Sequence, residues 1–235
     1  MRFRALATDY DGTIAHDGRV DEETVESLRA ARGAGLRLIL VTGRELTDLF
    51  NTFAHATVFD RIVAENGAVL YNPGTKEIEV LGGRPPQDFV AHLTRQNIPL
   101  SVGHGIVATV EPHAHAVFAA IHDLSLDWHV IFNKGAVMAL PSTVTKLSGL
   151  ERGLADIGAR AEETIGIGDA ENDIVFLKAC GLSVSVANAL ETVKDVSDLV
   201  TIDARGAGVR EFIHAWLGGL EERRVPKNPA SRSAG

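Results

Sequence analysis

The sequence predicts an α/β fold in which a mainly parallel sheet carries a smaller inserted α/β domain. Short apolar runs alternate with helical patterns over residues 1–81 and again over 141–222, which is typical of parallel strands joined by right-handed crossovers. Between these two parts the composition changes at residues 82–86, where two glycines and two prolines indicate a linker. We therefore predict a core domain made of residues 1–81 and 141–222 and an inserted domain made of residues 82–140.

The first part of the chain contains clear strand and helix signals. Residues 36–41 are almost continuously apolar, as strands of a parallel sheet are when both faces are buried. Asp21 is a suitable N-cap for an amphipathic helix, and Glu65-Asn66-Gly67 between two apolar runs predicts a hairpin with a type I′ turn. The predicted strands are 3–8, 36–41, 62–64 and 68–71, and the predicted helices are 22–33 and 45–54.

The inserted region and the last part of the chain continue the alternation. Within the insertion we predict helices at 87–96 and 113–124 and strands near 100–110 and 128–140. After it we predict helices at 145–157 and 172–179, from about 190, and at 207–222, and strands at 164–168, 182–186 and 199–202. Residues 223–235 are basic and contain proline and serine, so we expect a disordered tail.

Composition excludes several functional classes. The 235 residues, 45% hydrophobic and 23% charged, are sufficient for a full core. A net charge of −8 argues against nucleic acid or an anionic membrane as the main partner, although a local pocket can still bind phosphate.

Neither a membrane-spanning run nor a signal peptide is evident, so we expect a cytoplasmic location. The single cysteine, Cys180, excludes a disulfide framework, and its apolar surroundings predict a buried, unreactive thiol. The sequence does not predict the oligomeric state.

Two aspartates, Asp9 and Asp11, directly follow the first predicted strand. The chain has to turn at Gly12, so both acids lie at the carboxyl end of the strand, where open α/β sheets bind their ligands. Two carboxylates at that point can share a magnesium ion or divide the roles of nucleophile and acid/base. An ordinary Asp-Gly turn explains the same residues equally well, so the rest of the chain has to decide between these interpretations.

A second polar cluster, Thr42-Gly43-Arg44, follows the strand at 36–41. A hydroxyl and a free backbone N–H at a helix start can hold a phosphate group. Helix capping explains the same residues. Lys146 begins a later predicted helix, a position at which a lysine is ordinarily solvated.

The last cluster follows the predicted strand at 164–168. Asp169 and Asp173 are spaced i and i+4, so both can face one point near a helix start, with Asn172 between them. N-capping and the helix dipole account for one or two of these acids but explain the whole cluster poorly.

The order and spacing of the four clusters resemble the haloacid dehalogenase-like (HAD) hydrolases over residues 3–202. DYDGT (9–13), LVTGR (40–44), Lys146 and GDAENDI (168–174) match the four motifs of that family in turn. VAENGA (63–68) is similar to the Cof-type subgroup, subfamily IIB, whose cap domain lies between the second and third motifs. The short insertion is more similar to compact-cap phosphoglycolate and sucrose-phosphate phosphatases. The resemblance implies a Rossmann-like core and a small α/β cap.

The resemblance also implies a Mg²⁺-dependent phosphatase that acts on a small phosphorylated metabolite through an aspartyl-phosphate. Asp9 would be the nucleophile, and Asp11 would be first the acid and then the base. Mg²⁺ would be held by Asp9, by the backbone carbonyl of Asp11 and by Asp169, with Asp173 as a ligand or a supporting residue.

Substrate binding would involve residues from the other motifs. Thr42 and the N–H of Gly43 would hold the phosphoryl oxygens, and Lys146 would neutralise developing charge and orient Asp9. Asn172 would position the substrate or a metal-bound water, while Arg44 would either contact the substrate or lie on the helix surface. In the cap, six residues are candidates for specificity, although each also suits a surface role: Arg84, His104, Glu111, His113, His115 and Asn133.

Two alternatives stay open at this point. A sugar phosphomutase uses the same motifs and transfers the phosphoryl group to a second sugar position. A non-catalytic regulatory domain would retain the fold, although it would not need the complete set of acids and Lys146. The substrate itself is not predicted: phosphoglycolate, a sugar phosphate and a glycerate-type phosphate all fit.

Overall fold

The computed structural model describes residues 3–133 and 135–219 as two sheets with their helices. The strands are β1 (Ala5–Thr8), β2 (Arg37–Val41), β3 (Arg61–Ala64), β4 (Val69–Tyr71), β5 (Ile78–Val80), β6 (Ser101–Val102), β7 (Val107–Val110), β8 (Trp128–Asn133), β9 (Ala136–Pro141), β10 (Thr164–Gly168), β11 (Leu182–Ser185) and β12 (Leu199–Val200). The helices are α1 (Glu22–Gly33), α2 (Leu46–Thr52), α3 (Gln87–Arg95), α4 (Ala114–Asp123), α5 (Lys146–Asp156), α6 (Ile174–Ala179), α7 (Glu191–Lys194) and α8 (Arg205–Leu217).

The main sheet has eight strands in the order β12-β11-β10-β1-β2-β3-β4-β5. The pairs from β12 to β3 are parallel, and β4 and β5 continue the sheet antiparallel. Side chains alternate between the faces of β1: Leu6 joins one apolar cluster and Ala5 and Ala7 join the other. Helices α1 and α8 cover the first face, and α5 and α6 cover the second. The predicted α/β fold with a mainly parallel sheet is therefore confirmed.

The second sheet, which we call the cap sheet, has the antiparallel order β6-β7-β9-β8. Helices α3 and α4 pack on it through Phe89, Leu93 and Val117 around the buried strand residues Val107 and Val137. The predicted strand regions near 100–110 and 128–140 each contain two strands. No helix in the described part of the chain has both the length and the apolar character needed to cross a bilayer.

The predicted element boundaries agree closely with the structure except at three places. Asp21 caps α1 as expected, because its carboxylate accepts the N–H of Thr24 at 2.7 Å. Strand β5 has no counterpart in the prediction, since its residues are largely exposed and include a glutamate. Helix α8 begins at Arg205 rather than 207 and ends at Leu217 rather than 222. The predicted disorder of residues 223–235 lies outside the described residues.

The third difference is the hairpin between β3 and β4. The two strands pair antiparallel as predicted, but Ala64 pairs with Val69, so the connection has four residues and is not a two-residue type I′ turn. Its first three residues, Glu65, Asn66 and Gly67, all have positive φ (53°, 55° and 106°). Consecutive left-handed residues coil the chain tightly, which turns Glu65 and Asn66 into the protein interior, where both are fully buried.

Gly67 is required by the close approach of the hairpin to the start of α5. A Cβ atom at Gly67 would lie 2.0 Å from the carbonyl oxygen of Thr145, the residue that caps this helix. Lys146 is the first residue of α5. Because Gly67 has no side chain, α5 can begin at Lys146 directly against the hairpin.

We predict that Gly67→Ala destabilises the fold by about 3 kcal/mol or more, because left-handed strain adds to a backbone clash. Gly35→Ala is the matched control: Gly35 has a similar φ of 100°, but its Cβ would meet nothing within 4 Å. That variant should lose only about 1–2 kcal/mol. Denaturant unfolding measures both losses, and equal losses would show that the approach of α5 carries no energetic weight.

Candidate active site

Three of the four motifs meet at one edge of the main sheet. Thr8 at the end of β1 pairs with Leu40 of β2 on one side and with Ile167 of β10 on the other. The residues that follow these strands are therefore neighbours in space, although they come from distant parts of the sequence. The start of α5 contributes Lys146 to the same edge.

Lys146 joins the first and fourth motifs. Its Nζ donates to Asp9 Oδ1 and to Asp173 Oδ1, both at 2.6 Å, and the residue is only 3% exposed. Burial disfavours the charged amine, but Asp173 and Asp9 outweigh that effect and raise the pKa of Lys146. The lysine is thus a buried partner of two carboxylates and not the solvated surface residue of the simpler interpretation.

Asp173 holds the fourth motif together. Its Oδ2 accepts the backbone N–H groups of Asp169 and Ala170, both at 3.0 Å, while Oδ1 receives Lys146. Asp169 is held in turn by Thr13, whose hydroxyl donates to Asp169 Oδ1 at 2.8 Å. Thr13 belongs to the first motif, so the two motifs are linked directly.

The buried carboxylates of Asp9, Asp169 and Asp173 suit a hard divalent cation. Each offers an oxygen within 4.8 Å of the others, and Mg²⁺ prefers such oxygen ligands. Burial raises the pKa of Asp9 well above its usual value, and Asp173 and Asp169 add to this, while Lys146 opposes it. The donor set and the concentration of negative charge both fit the metal that the motifs predict.

Asp11 is held by Arg44. The Nε and Nη2 atoms of Arg44 donate to the two carboxylate oxygens of Asp11, each at 2.7 Å, and Nη1 donates to Asp48 at 2.6 Å. The guanidinium also lies over the Tyr10 ring, 5.3 Å from its centroid. Arg44 is therefore a partner of Asp11 and not an exposed helix position. It also lines the cleft, and its contact with a substrate stays a prediction.

In the second motif, Gly43 faces the cleft and Thr42 lies in the protein interior. Gly43 lines the cleft beside Asp9 and Asp11. Thr42 is fully buried, and its hydroxyl accepts the N–H of Arg44 at 3.1 Å. This contact is a local turn and not the helix cap that the sequence left as an alternative, because α2 begins at Leu46 and Glu45 is its N-cap residue.

Asn172 and Asn66 connect the fourth motif to the cap sheet. Asn172 Nδ2 donates to Asn66 Oδ1 at 2.9 Å, and Asn66 Nδ2 contacts the sulfur of Met138 at 3.1 Å. Met138 lies on β9 of the cap sheet. The amide of Asn172 is therefore engaged by Asn66, a residue that the sequence suggested only as part of a turn.

The cleft at this edge has a volume of about 720 Å³ and is covered by the cap sheet. Its lining includes Asp9 and Asp11 from the core and Asn133 and Met138 from the cap sheet. Of the six cap residues suggested by the sequence, Asn133 is the one found among the described lining residues. Cys180 is buried away from this cleft, and burial raises its pKa to about 12, as expected for an unreactive thiol.

Glu65 is a further buried residue that sequence reasoning missed. Its two carboxylate oxygens accept the backbone N–H groups of His104 at 3.0 Å and Gly105 at 2.8 Å, both in the turn between β6 and β7. The only sequence signal was the glutamate itself within an otherwise apolar hairpin. Glu65 therefore joins the core hairpin to the cap sheet at a fixed position.

Comparison with known proteins places these residues in a family context. A sequence model of the haloacid dehalogenase-like hydrolases matches residues 6–102 and 115–213. Phosphoglycolate phosphatase of Methanothermobacter thermautotrophicus is 34% identical over 226 residues, covering 92% of this chain and 100% of its own length. Phosphoglycolate phosphatase 1 of Saccharolobus solfataricus is 26% identical over 234 residues, covering 92% and 97%.

Solved structures share the fold at lower identity. A haloacid dehalogenase-like hydrolase from Bacteroides thetaiotaomicron superposes with a TM-score of 0.76 at 20% identity, covering 91% of this chain and 99% of its own. A sugar phosphatase of HAD subclass IIB superposes with a TM-score of 0.71 at 20% identity, covering 91% and 98%. At this identity the structural likeness establishes the fold.

We predict that Glu65→Ala destabilises the protein by about 3 kcal/mol, because two buried N–H groups of the cap lose their acceptor. The control is Glu45→Ala, which removes an exposed hydrogen bond to Ser101 in the same part of the cap and should cost no more than about 0.5 kcal/mol. Denaturant unfolding of the two variants measures the difference. Similar costs would contradict a special role for the buried carboxylate.

Proposed function

The chain belongs to the haloacid dehalogenase-like hydrolases and is a phosphatase of that family; on this premise we propose that it hydrolyses a small phosphorylated metabolite in two steps, with Asp9 as nucleophile. The observation that carries the proposal is the buried contact of Lys146 with Asp9 beside a cleft. The names of the two relatives favour a phosphoglycolate-like substrate, and a sugar phosphate is the next candidate.

The proposal includes a division of labour between two domains. Residues 1–81 and 141–222 form the core that carries the four motifs, and residues 82–140 form the cap. Asn133 and Met138 line the cleft from the cap side. The cap excludes bulk water from the reaction and supplies part of the contact with the leaving group.

In the first step a carboxylate oxygen of Asp9 attacks phosphorus, and the bond from phosphorus to the substrate oxygen breaks. Lys146 holds Asp9 in one orientation through the 2.6 Å contact and favours its ionised form. Asp11 gives a proton to the departing alkoxide. The product alcohol leaves, and the phosphoryl group stays on Asp9.

In the second step water attacks the same phosphorus atom and releases phosphate from Asp9. Asp11, now a carboxylate, takes the proton from that water. Both uses require Asp11 to reach the reacting oxygen, so its contact with Arg44 has to loosen or shift during the cycle. We assign Arg44 the role of positioning Asp11 rather than binding the phosphoryl group.

The phosphoryl oxygens are held by groups around Asp9. The N–H of Gly43 lines the cleft, and the Lys146 ammonium neutralises charge that develops on the phosphoryl group. Thr42 supports this loop from the interior, and its hydroxyl has to turn away from Arg44 to reach a substrate. Asn172 acts through Asn66 on the shape of the cleft.

The cofactor in this proposal is Mg²⁺, held by Asp9, Asp169 and the backbone carbonyl of Asp11. When bound, it neutralises phosphate charge and withdraws electrons from phosphorus. Asp173 already accepts three hydrogen bonds, which favours a supporting role for it. It orients Lys146 and the Asp169 loop.

We predict that Asp9→Asn lowers turnover of p-nitrophenyl phosphate at least about 10³-fold, since the amide cannot attack phosphorus. Asp17→Asn is the control, because Asp17 is an exposed residue at the cleft rim with a left-handed φ of 50° that asparagine tolerates. It should keep wild-type turnover. Unchanged activity in Asp9→Asn would exclude the aspartyl-phosphate route.

Asp11→Asn separates the two steps. p-Nitrophenolate leaves without a proton, so this variant should release one equivalent in a rapid burst and then stall, because no base activates water. Stopped-flow absorbance measures the burst, and phosphate release from the wild type should equal substrate consumed. A steady rate without a burst would contradict the division of roles. When the wild type is given a sugar phosphate instead, an isomerised sugar phosphate in place of free phosphate would indicate the phosphomutase.

Removal of divalent metal with EDTA should abolish hydrolysis, and added Mg²⁺ should restore it. Mg²⁺ should also raise the melting temperature of the wild type, because binding to the native state stabilises it. Asp169→Asn should reduce this thermal shift, whereas the exposed Asp17→Asn should not. Full activity after exhaustive chelation would refute the metal requirement.

A further inference from the structure

Arg205 is a cation of the core that lines the cleft but belongs to none of the four motifs. It opens α8 and lies on the wall of the same cleft as Asp9, Asp11 and Gly43. It also lines a smaller neighbouring pocket with Asp169. It follows the last strand of the sheet, at a point where the sequence matches none of the four motifs.

The backbone of Arg205 is fixed to the catalytic loop. Its N–H donates to Asn188 Oδ1 at 2.8 Å, and Asn188 Nδ2 donates to the carbonyl of Gly12 at 2.8 Å. Gly12 directly follows Asp11. Asn188 thus connects two distant segments, so that a movement of Arg205 away from the site would break both hydrogen bonds.

Two further features fix its position. Arg205 has a φ of 53°, a left-handed conformation that costs energy in any residue other than glycine. The next residue, Gly206, is in close contact with α1, since a Cβ there would lie 2.4 Å from the Thr24 hydroxyl. Such strain persists only where the surroundings hold it, and it is concentrated at functional sites.

The side chain of Arg205 differs from the other arginine of the cleft. Arg44 is saturated by Asp11 and Asp48. The guanidinium of Arg205 has no hydrogen-bond or ion-pair partner among the described residues, although the residue is partly buried. A partly desolvated guanidinium with five donors is well suited to receive an anion.

We infer that Arg205 binds the carboxylate of a small phosphorylated carboxylic acid whose phosphoryl group lies at Asp9. The inference rests on the proposed function and deepens it by naming the residue that recognises the rest of the substrate. In the proposed mechanism Lys146 and the Gly43 N–H serve the phosphoryl group and Arg44 is held by Asp11 and Asp48, which leaves the Arg205 guanidinium for a second anionic group of the same substrate. A planar guanidinium matches a carboxylate through two parallel hydrogen bonds.

This assignment places the recognition of the carboxylate on the core. The backbone of Arg205 is anchored through Asn188 to the loop that carries Asp11, so the point from which the guanidinium extends belongs to the core and not to the cap. A substrate in which the carboxylate is replaced by a neutral group loses that contact, which a site built for it penalises.

The test compares 2-phosphoglycolate with its neutral amide, glycolamide phosphate, and with p-nitrophenyl phosphate. For Arg205→Gln we expect kcat/KM for 2-phosphoglycolate to fall about 10- to 100-fold, mainly through KM, because a charge-assisted pair is lost. The values for the amide and for p-nitrophenyl phosphate should change less than about threefold, which also shows that the variant is folded. Arg205→Lys should retain part of the preference, since it keeps the charge but loses the planar geometry.

Arg160→Gln is the matched control, because Arg160 is an exposed arginine of the core that is absent from the described lining of the cleft. It should leave all three substrates unchanged. Equal losses for 2-phosphoglycolate and its amide in Arg205→Gln, or no loss for either, would overturn the inference.

The proposed function fails separately. A wild type that hydrolyses p-nitrophenyl phosphate without preferring 2-phosphoglycolate over the amide overturns the role of Arg205 and leaves the phosphatase mechanism in place. A wild type that hydrolyses none of the three substrates overturns the mechanism itself.

Discussion

The contact of one buried ammonium group with two buried carboxylates organises this protein. Lys146 lies between Asp9 and Asp173 at 2.6 Å from each, and removing one member of such a cluster leaves charge buried without compensation, which is strongly destabilising. The three residues come from the end of β1, the start of α5 and the turn before α6. The proposed site therefore depends on the main sheet, because only the assembled sheet brings the three charges together.

The hairpin between β3 and β4 makes this meeting possible and also joins the core to the cap sheet. At Gly67 the start of α5 approaches more closely than any side chain would allow. Glu65 accepts two N–H groups of the cap. Asn66 contacts Asn172 of the fourth motif and Met138 of the cap sheet. Three left-handed residues in succession are costly. Buried contacts of the hairpin with α5, with the fourth motif and with the cap sheet offset this cost. A single short turn therefore holds these three parts of the protein next to one another.

The two arginines of the cleft serve different purposes in the mechanism we propose. Arg44 is held by two carboxylates and an aromatic ring, and it restrains Asp11. Among the described residues Arg205 is held through its backbone, which leaves its guanidinium available to a ligand. Specificity then comes from a rigid distance within the core, and the cap contributes by excluding water and limiting the size of the substrate.

The sequence alone determined the α/β class, the mainly parallel sheet and the resemblance to the family, because hydrophobic periodicity and strand-end polar clusters are local patterns. It also identified Asp9, Lys146, Asp169 and Asp173 as neighbours. Only the tertiary structure decided how the side chains pair. The partners are far apart in the sequence: 33 residues separate Asp11 from Arg44, 39 separate Glu65 from His104, and 176 separate Asn188 from Gly12. No local pattern encodes such pairs. The turn geometry at Glu65 and Asn66 was likewise decided by packing, since isolated turn preferences favour a shorter loop than the one that buried contacts stabilise.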